Sequence, residues 1–221
     1  VDEIIRKIKH YEDFRLLREQ NILLRGSTKN YMSLDTRKKL LEGAKKCLVQ
    51  EGFRKTSVKA IARYAGVNHG LVHHYFGSKE ELLAALVEAV ASGESRPYSV
   101  ESNVIPPPAG DEAIMASAGI EAFAKQKLVP HLTSDYNKLV MEMLIMSAEM
   151  PLVAVQIRML LNRRRAWFGR ILGIQDPALL LLISGALMGL MLQYKLDSTI
   201  DVERAVTQLF SMIVKTNKKE K

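Results

Sequence analysis

Apolar residues recur at intervals of three and four along almost the whole chain, and no segment alternates with a period of two. The pattern predicts an all-α fold. Residues 1–24 place Ile4, Ile5, Ile8, Tyr11 and Phe14 near one side among charges, which predicts an amphipathic helix ahead of a hinge at Gly26, Ser27 and Thr28. From Asp35, the expected N-cap, Leu41, Ala44 and Leu48 line one helix face with Leu40 and Cys47 beside it. Gly52 should stop that helix, with Phe53 folding back on Leu48 as in a Schellman cap. A short helix follows, capped by Thr56, with Val58, Ile61, Ala62 and Ala65 at i, i+3, i+4 and i+7. Gly66 breaks it. Asn68 can cap a third helix through Phe76, closed by Gly77. Ser78 and Glu81 form a capping box for a fourth, whose Leu83, Leu86, Val87 and Val90 share a face.

Residues 92–110 lose this periodicity and contain Pro97 and the run Pro106, Pro107, Pro108, so they read as a connector. Beyond it, helices are expected near 111–126, 133–149, 151–173, 177–195 and 201–217, cut by Pro130, Pro151, Gly173, Pro177 and the polar stretch Asp197 to Asp201. The expected organisation is an extension over 1–34, a DNA-binding domain over 35–91, a connector over 92–110 and a second helical domain over 111–221. Ala178 to Leu192 is short for a membrane span and lacks flanking basic anchors, so it is expected to be a buried helix, with no membrane partner.

With 48% apolar and only 6% aromatic residues, the 221-residue chain can bury an aliphatic core. Its net charge of +8 is unevenly spread. Ten Lys and Arg against three Asp and Glu lie between Lys29 and Gly66, an excess of seven in one segment. That concentration suits phosphate contact better than general solubility. A single cysteine, Cys47, excludes an internal disulfide and a cysteine-rich zinc module, and suits a reducing, cytoplasmic setting. No signal peptide is visible at the N-terminus.

In a helix-turn-helix the two helices cross closely, which calls for a small residue at the contact and a glycine at the turn. Ala62 and Gly66 meet those needs. Ile61, Val67 and Val72 can pin the second helix to the first, leaving His69, Gly70, Leu71, His73 and Tyr75 toward a groove. His69, His73 and His74 have spacing that zinc could use, but no Cys or acidic third ligand lies nearby, and no metal or other cofactor is expected.

The run Lys55-Thr56-Ser57-Val58-Lys59-Ala60-Ile61-Ala62, then Ala65-Gly66-Val67-Asn68, then Tyr75-Phe76-Gly77-Ser78-Lys79-Glu80-Glu81-Leu82 resembles the TetR family of bacterial regulators. The resemblance covers about fifty-five residues. It implies a homodimer with an N-terminal helix-turn-helix domain and a C-terminal helical domain that binds a small effector and dimerises. It assigns phosphate contacts to Thr56, Tyr75 and Lys79, and base contacts to the stretch holding His69 and Gly70. Leu71 and His73 stand where the family often has threonine and usually has tyrosine. Leu71 cannot hydrogen-bond, but it can pack on a thymine methyl.

The second half contains no phosphate-binding glycine loop, metalloprotease motif or nucleophile elbow, so no catalytic residue is expected. Met143, Met146, Met159, Trp167 and Phe168 are candidates for lining an adaptable apolar effector pocket. Arg163, Arg164 and Arg165 point in three directions around a helix, mostly to solvent. Leu182, Gly185, Gly189, Leu209 and Met212 are candidates for the two-fold interface that the resemblance implies. The expected function is a cytoplasmic, nucleoid-associated repressor that binds duplex DNA at a pseudo-palindromic operator until a small, largely apolar effector releases it. Two rivals are an activator or broad nucleoid-associated binder, and a protein that sequesters an effector while its first helix docks on a partner or membrane.

Overall fold

The computed structural model describes residues 5–6, 9–13, 16, 27–92, 119, 121–134 and 136–217. These residues are overwhelmingly helical, and no strand occurs among them. The helices are α1 (Ser27–Glu51), α2 (Val58–Ala65), α3 (Gly70–Phe76), α4 (Lys79–Ser92), α5 (Val129–Thr133), α6 (Tyr136–Glu149), α7 (Pro151–Leu172), α8 (Pro177–Leu196) and α9 (Val202–Asn217). Gly26, Ile4, Ile8, Phe14, the connector and the start of the helix expected from 111 lie outside the described residues.

Packing divides the chain into two units. Val1–Ala89 and Leu139–Arg158 form the first, Val90–Lys138 and Met159–Lys221 the second. Residues 139–158 thus pack with the N-terminal helices, a grouping that a contiguous partition along the chain does not contain.

In the first unit, Leu40, Leu41, Ala44, Cys47 and Leu48 of α1 are buried with Ile61, Val72, Phe76, Leu82 and Leu86. α1 runs from Ser27 through Asp35, so Asp35 is not its N-cap, and Gly26 of the expected hinge lies outside the described residues. Asp35 instead makes an i,i+4 ion pair with Lys39, 2.6 Å apart. α1 and α2 approach so closely that a Cβ on Gly43 would lie 2.7 Å from the Ala65 Cβ and 2.8 Å from the Ile61 carbonyl oxygen. The bare glycine permits this crossing, a contact additional to the Ala62 and Gly66 positions expected from sequence. At Gly66 the chain makes a left-handed turn (φ 66°), and Val67 N–H donates to the Ala62 carbonyl at 3.1 Å in a Schellman cap. Residues 5–6, 9–13 and 16 are helical, Ile5 is exposed, and Tyr11 is buried with its hydroxyl donating to Glu88 Oε2 at 3.5 Å.

The second unit has a different core. Phe123 meets Trp167 with centroids 5.7 Å apart, Trp167 meets Phe168 at 4.7 Å, and Phe168 meets Phe210 at 6.3 Å. Of the three consecutive arginines, Arg164 is buried with its guanidinium 5.6 Å from the Phe168 ring centroid, which corrects a wholly solvated reading of the run. His131 is buried as well. Burial, and then the Arg164 charge, push its pKa down to about 3, so the imidazole is neutral. Pro130, expected from sequence to cut a helix, lies inside one. A proline lacks the N–H that would bond four residues back; here residues Ala124–Leu128 widen into a π turn, and the helix continues to Thr133.

Asp176 caps α8, accepting from Ala178 N–H at 2.9 Å, with Pro177 in the first turn. α8 is long and apolar enough to cross a membrane. It is not the buried helix expected from sequence. Ile183, Ser184, Leu187 and Met191 are buried, but Leu181, Leu182, Leu192 and Leu196 are exposed.

Candidate nucleic-acid interface

The interface is assembled from the two ends of short helices. α2 starts at Ser57, whose hydroxyl accepts from Ala60 N–H at 3.1 Å. The N-cap is therefore Ser57 rather than Thr56. Thr56 is only 2% exposed. Its hydroxyl donates to the Gly52 carbonyl at 2.8 Å and lies 3.6 Å from the Cys47 Sγ, which donates to it. The hydroxyl expected to meet a phosphate is thus turned inward in this structure, and the exposed groups at this helix start are Ser57 and Lys59. Two adjacent hydroxyl residues made the register of the cap ambiguous in sequence. Burial decided it.

α3 is positioned by Asn68, whose Oδ1 accepts from Gly70 N–H at 2.8 Å. Val72 and Phe76 are buried, which turns the opposite face outward with Gly70, His73 and His74 exposed. His69, just before the helix, is exposed too, and Leu71 and Tyr75 are half-buried. The His73 ring nitrogen Nδ1 lies 2.8 Å from the Gly77 carbonyl oxygen. A carbonyl can only accept, so Nδ1 carries the proton and the neutral ring keeps Nε2 as an acceptor. His74 packs edge-on to Tyr75, with centroids 5.0 Å apart. Exposure adds His74 to the candidate reading residues. Its i+4 relation to Gly70 was the signal available in sequence.

Lys79 differs from its expected role. Its ammonium sits 5.0 Å from the Phe53 ring centroid, and burial lowers its pKa while the Glu149 charge raises it. Among the basic residues before Gly66, Lys38, Lys46, Arg54, Lys55 and Lys59 are exposed. Others are paired. Arg63 lies 2.5 Å from Glu51, which also accepts from the Tyr64 hydroxyl at 2.8 Å and so raises the Tyr64 pKa. Exposed positive charge therefore lies on α1, the Phe53–Lys55 turn and the start of α2.

The sequence profile described as "Bacterial regulatory proteins, tetR family" matches residues 40–86, the stretch that holds Gly43, the Ser57 cap, the Gly66 turn and α3. Residues 40–86 thus match the DNA-binding domain of that family. Among its relatives, the HTH-type transcriptional regulator BetI of Rhizobium meliloti is 43% identical over 54 residues, 24% of this chain and 27% of BetI. The HTH-type transcriptional repressor AcnR of Corynebacterium efficiens is 32% identical over 59 residues, 27% of this chain and 31% of AcnR. The alignments thus span less than a third of the curated relatives they match. The fold likeness is longer. A transcriptional regulator from Rhodococcus sp. Rha1 superposes with a TM-score of 0.61 at 20% identity, covering 81% of this chain and 96% of that one.

The sequence-expected pocket residues do not share one environment. Met143 and Met146 are buried in the first unit, Trp167 and Phe168 in the second, and Met159 is 44% exposed. Met159 is therefore on the surface in this structure, because its position on α7 lies off the buried stripe of Leu160, Trp167, Phe168 and Ile171. The expected interface residues do share a character. Leu182 and Met212 are exposed, Leu209 is half-buried, and a Cβ on Gly185 or Gly189 would meet nothing within 4 Å. Among the described residues, no cluster of three or more His, Cys, Asp or Glu is arranged to hold a metal.

Proposed function

We propose that this chain is a sequence-specific DNA-binding transcriptional regulator that acts as a homodimeric repressor. The observation that carries this reading is the outward face of α3, with His69, Gly70, His73 and His74 exposed while Val72 and Phe76 anchor the helix from behind. That short helix, joined to α2 through the Gly66 turn, is the element that enters a major groove. His69, Gly70, Leu71 and His73 read base edges. Tyr75 contacts a phosphate, and exposed Ser57, Lys55 and Lys59 supply phosphate contacts at the start of α2.

The exposed apolar stripe on α8, with Leu182, Gly185, Gly189 and Leu192, supports dimerisation with α9. Small residues in such a stripe allow two copies to approach closely, and burying exposed leucines contributes roughly 25 cal/mol per Å². A dimer supplies two α3 helices for the half-sites of a pseudo-palindromic operator. The aromatic run through Trp167 and Phe168 supports a small, largely apolar effector in the helical second half. The setting is the bacterial cytoplasm.

Selecting duplexes from a random pool at moderate salt tests this reading. The expected result is an enriched pseudo-palindrome protected in footprinting. Binding that ignores sequence and vanishes as salt rises would sink it. Sedimentation of Leu182→Glu should show monomers where the unsubstituted chain sediments as a dimer.

A further inference from the structure

Two long-range hydrogen bonds in the first unit are unusual in using carboxylates to satisfy backbone amides at the ends of other helices. Gly52 ends α1 with φ 78° and ψ 168°, an extended exit that turns the next amide away from α1. Phe53 N–H then donates to Glu142 Oε2 of α6 at 2.6 Å. The reverse bond lies 3.0 Å long between Leu152 N–H and Glu80 Oε1. Leu152 is the first amide of α7 able to donate, because Pro151 has none. Each segment thus lends the other a carboxylate, and both bonds are charge-assisted.

Their places in the chain matter. Phe53 stands five residues before α2, and Glu80 lies in the first turn of α4, four residues after α3, so the two anchored points bracket the α2–α3 pair. Lys79, next to Glu80, lies over the Phe53 ring and within the field of Glu149. Neither glutamate lies on the exposed face of α3.

We infer that Glu80 and Glu142 are positioning residues for DNA reading: a reciprocal clasp that fixes both ends of the helix-turn-helix on the corner between α6 and α7. The inference rests on the regulator reading for its consequence, though not for its geometry. A shift of the α6–α7 corner carries both ends of the reading motif together, while the α2–α3 crossing stays intact.

The test uses the full chain with E80A, E142A, the double alanine variant and the double glutamine variant E80Q/E142Q, which keeps one carbonyl acceptor at each site. Amide exchange is followed at Phe53 and Leu152, with Ile61 and Val72 reporting that the motif remains folded. Two local caps would each protect only their own amide. The clasp predicts that each single alanine variant speeds exchange at both amides by tenfold or more, and that glutamine restores most of the protection. Exchange that rises only at the amide beside the substitution overturns the clasp. The second readout is affinity for the duplex enriched by the unsubstituted chain against a scrambled duplex. The double alanine variant should lose about tenfold in preference at unchanged affinity for the scrambled duplex, with glutamine rescuing it. Preference unchanged while both amides exchange freely overturns the positioning role. Should the unsubstituted chain enrich no duplex, the regulator reading falls, and the crossed exchange alone decides the clasp. If the double alanine variant does not fold, the single variants and E80Q/E142Q give the same decision.

Discussion

The two halves of this molecule are held together by different kinds of contact. Around α2 and α3, order comes from bonds a few residues long: Ser57 to Ala60, Ala62 to Val67, Asn68 to Gly70 and His73 to Gly77. Each joins a residue type with a strong local preference to a backbone group that the helix end leaves open. In the second unit, order comes from side chains far apart in sequence, such as Phe123, Trp167, Phe168 and Phe210, with a buried His131 and Arg164 beside them. Short contacts recreate a fixed shape wherever the motif occurs. Long ones can be rebuilt with other side chains, provided that volume is conserved. The difference fits the comparisons, in which the family profile matches residues 40–86 alone while the fold likeness covers 81% of the chain.

Substitutions can break or sharpen this contrast. The largest effect is expected from Phe168→Ala, which removes the ring shared by Trp167, Phe210 and Arg164 and should cost about 3–5 kcal/mol in chemical denaturation. A loss below 1 kcal/mol would show that the second core does not depend on its aromatic run. Gly43→Ala comes next, at about 1–3 kcal/mol, because the added methyl presses on Ala65 and the Ile61 carbonyl. The same substitution at exposed Gly185, inside α8, should instead raise monomer stability by about 0.5–1 kcal/mol in denaturation of a dimer-disrupted background, since its Cβ meets nothing nearby and alanine favours the helix.

Acid should separate the units as well. His131 has its folded pKa pushed below the ordinary value of 6.5, to about 3. Its neutral form is therefore compatible with the fold, and its contribution is fully present above about pH 6.5. As pH falls toward 3 the unfolded chain takes up the proton first, so stability is lost by up to about 1.4 kcal/mol per pH unit. Melting curves between pH 7 and pH 4.5 should show this slope, and His131→Gln should flatten it. An unchanged slope would mean that other groups dominate.

A local effect on stability belongs to the cap. Ser57→Ala should cost about 1 kcal/mol, while Thr56→Ser keeps the hydroxyl that donates to Gly52 and costs less. On DNA, His69→Ala should lower affinity for the enriched duplex by on the order of 1–3 kcal/mol and leave random duplex unaffected. Lys59→Ala should weaken both alike and reduce the salt dependence. Equal losses on the two duplexes for His69→Ala would remove that residue from the reading set.

Much of the reading half was legible in sequence because its signals are local. The stops at Gly52, Gly66 and Gly77, the helices between them and the buried positions Ile61, Val72 and Phe76 all follow from spacing and turn chemistry. Errors arose where a local rule had a distant competitor. Spacing gave Phe53 a side-chain contact with Leu48 but no partner for its amide, which is Glu142, 89 residues away. Lys79 was expected to face phosphate, but the Phe53 ring and Glu149 lie beside it. Thr56 and Ser57 could each have capped α2, and burial of Thr56 selected its neighbour. Pro130 was expected to cut a helix, but a wider turn absorbed the missing donor.

The sequence by itself determined an all-helical chain, the place of the helix-turn-helix and the outward placement of His69, Gly70 and His73, though not of His74. Periodicity, capping preference and the demand for glycine at a turn act over fewer than ten residues and need no knowledge of what lies across the fold. Only the tertiary structure decided which arginine of Arg163, Arg164 and Arg165 is buried, which side of α8 stays exposed, and which carboxylates bracket the reading motif. Those outcomes depend on competition among distant partners for the same backbone amide or the same buried volume, and linear spacing carries no record of that competition.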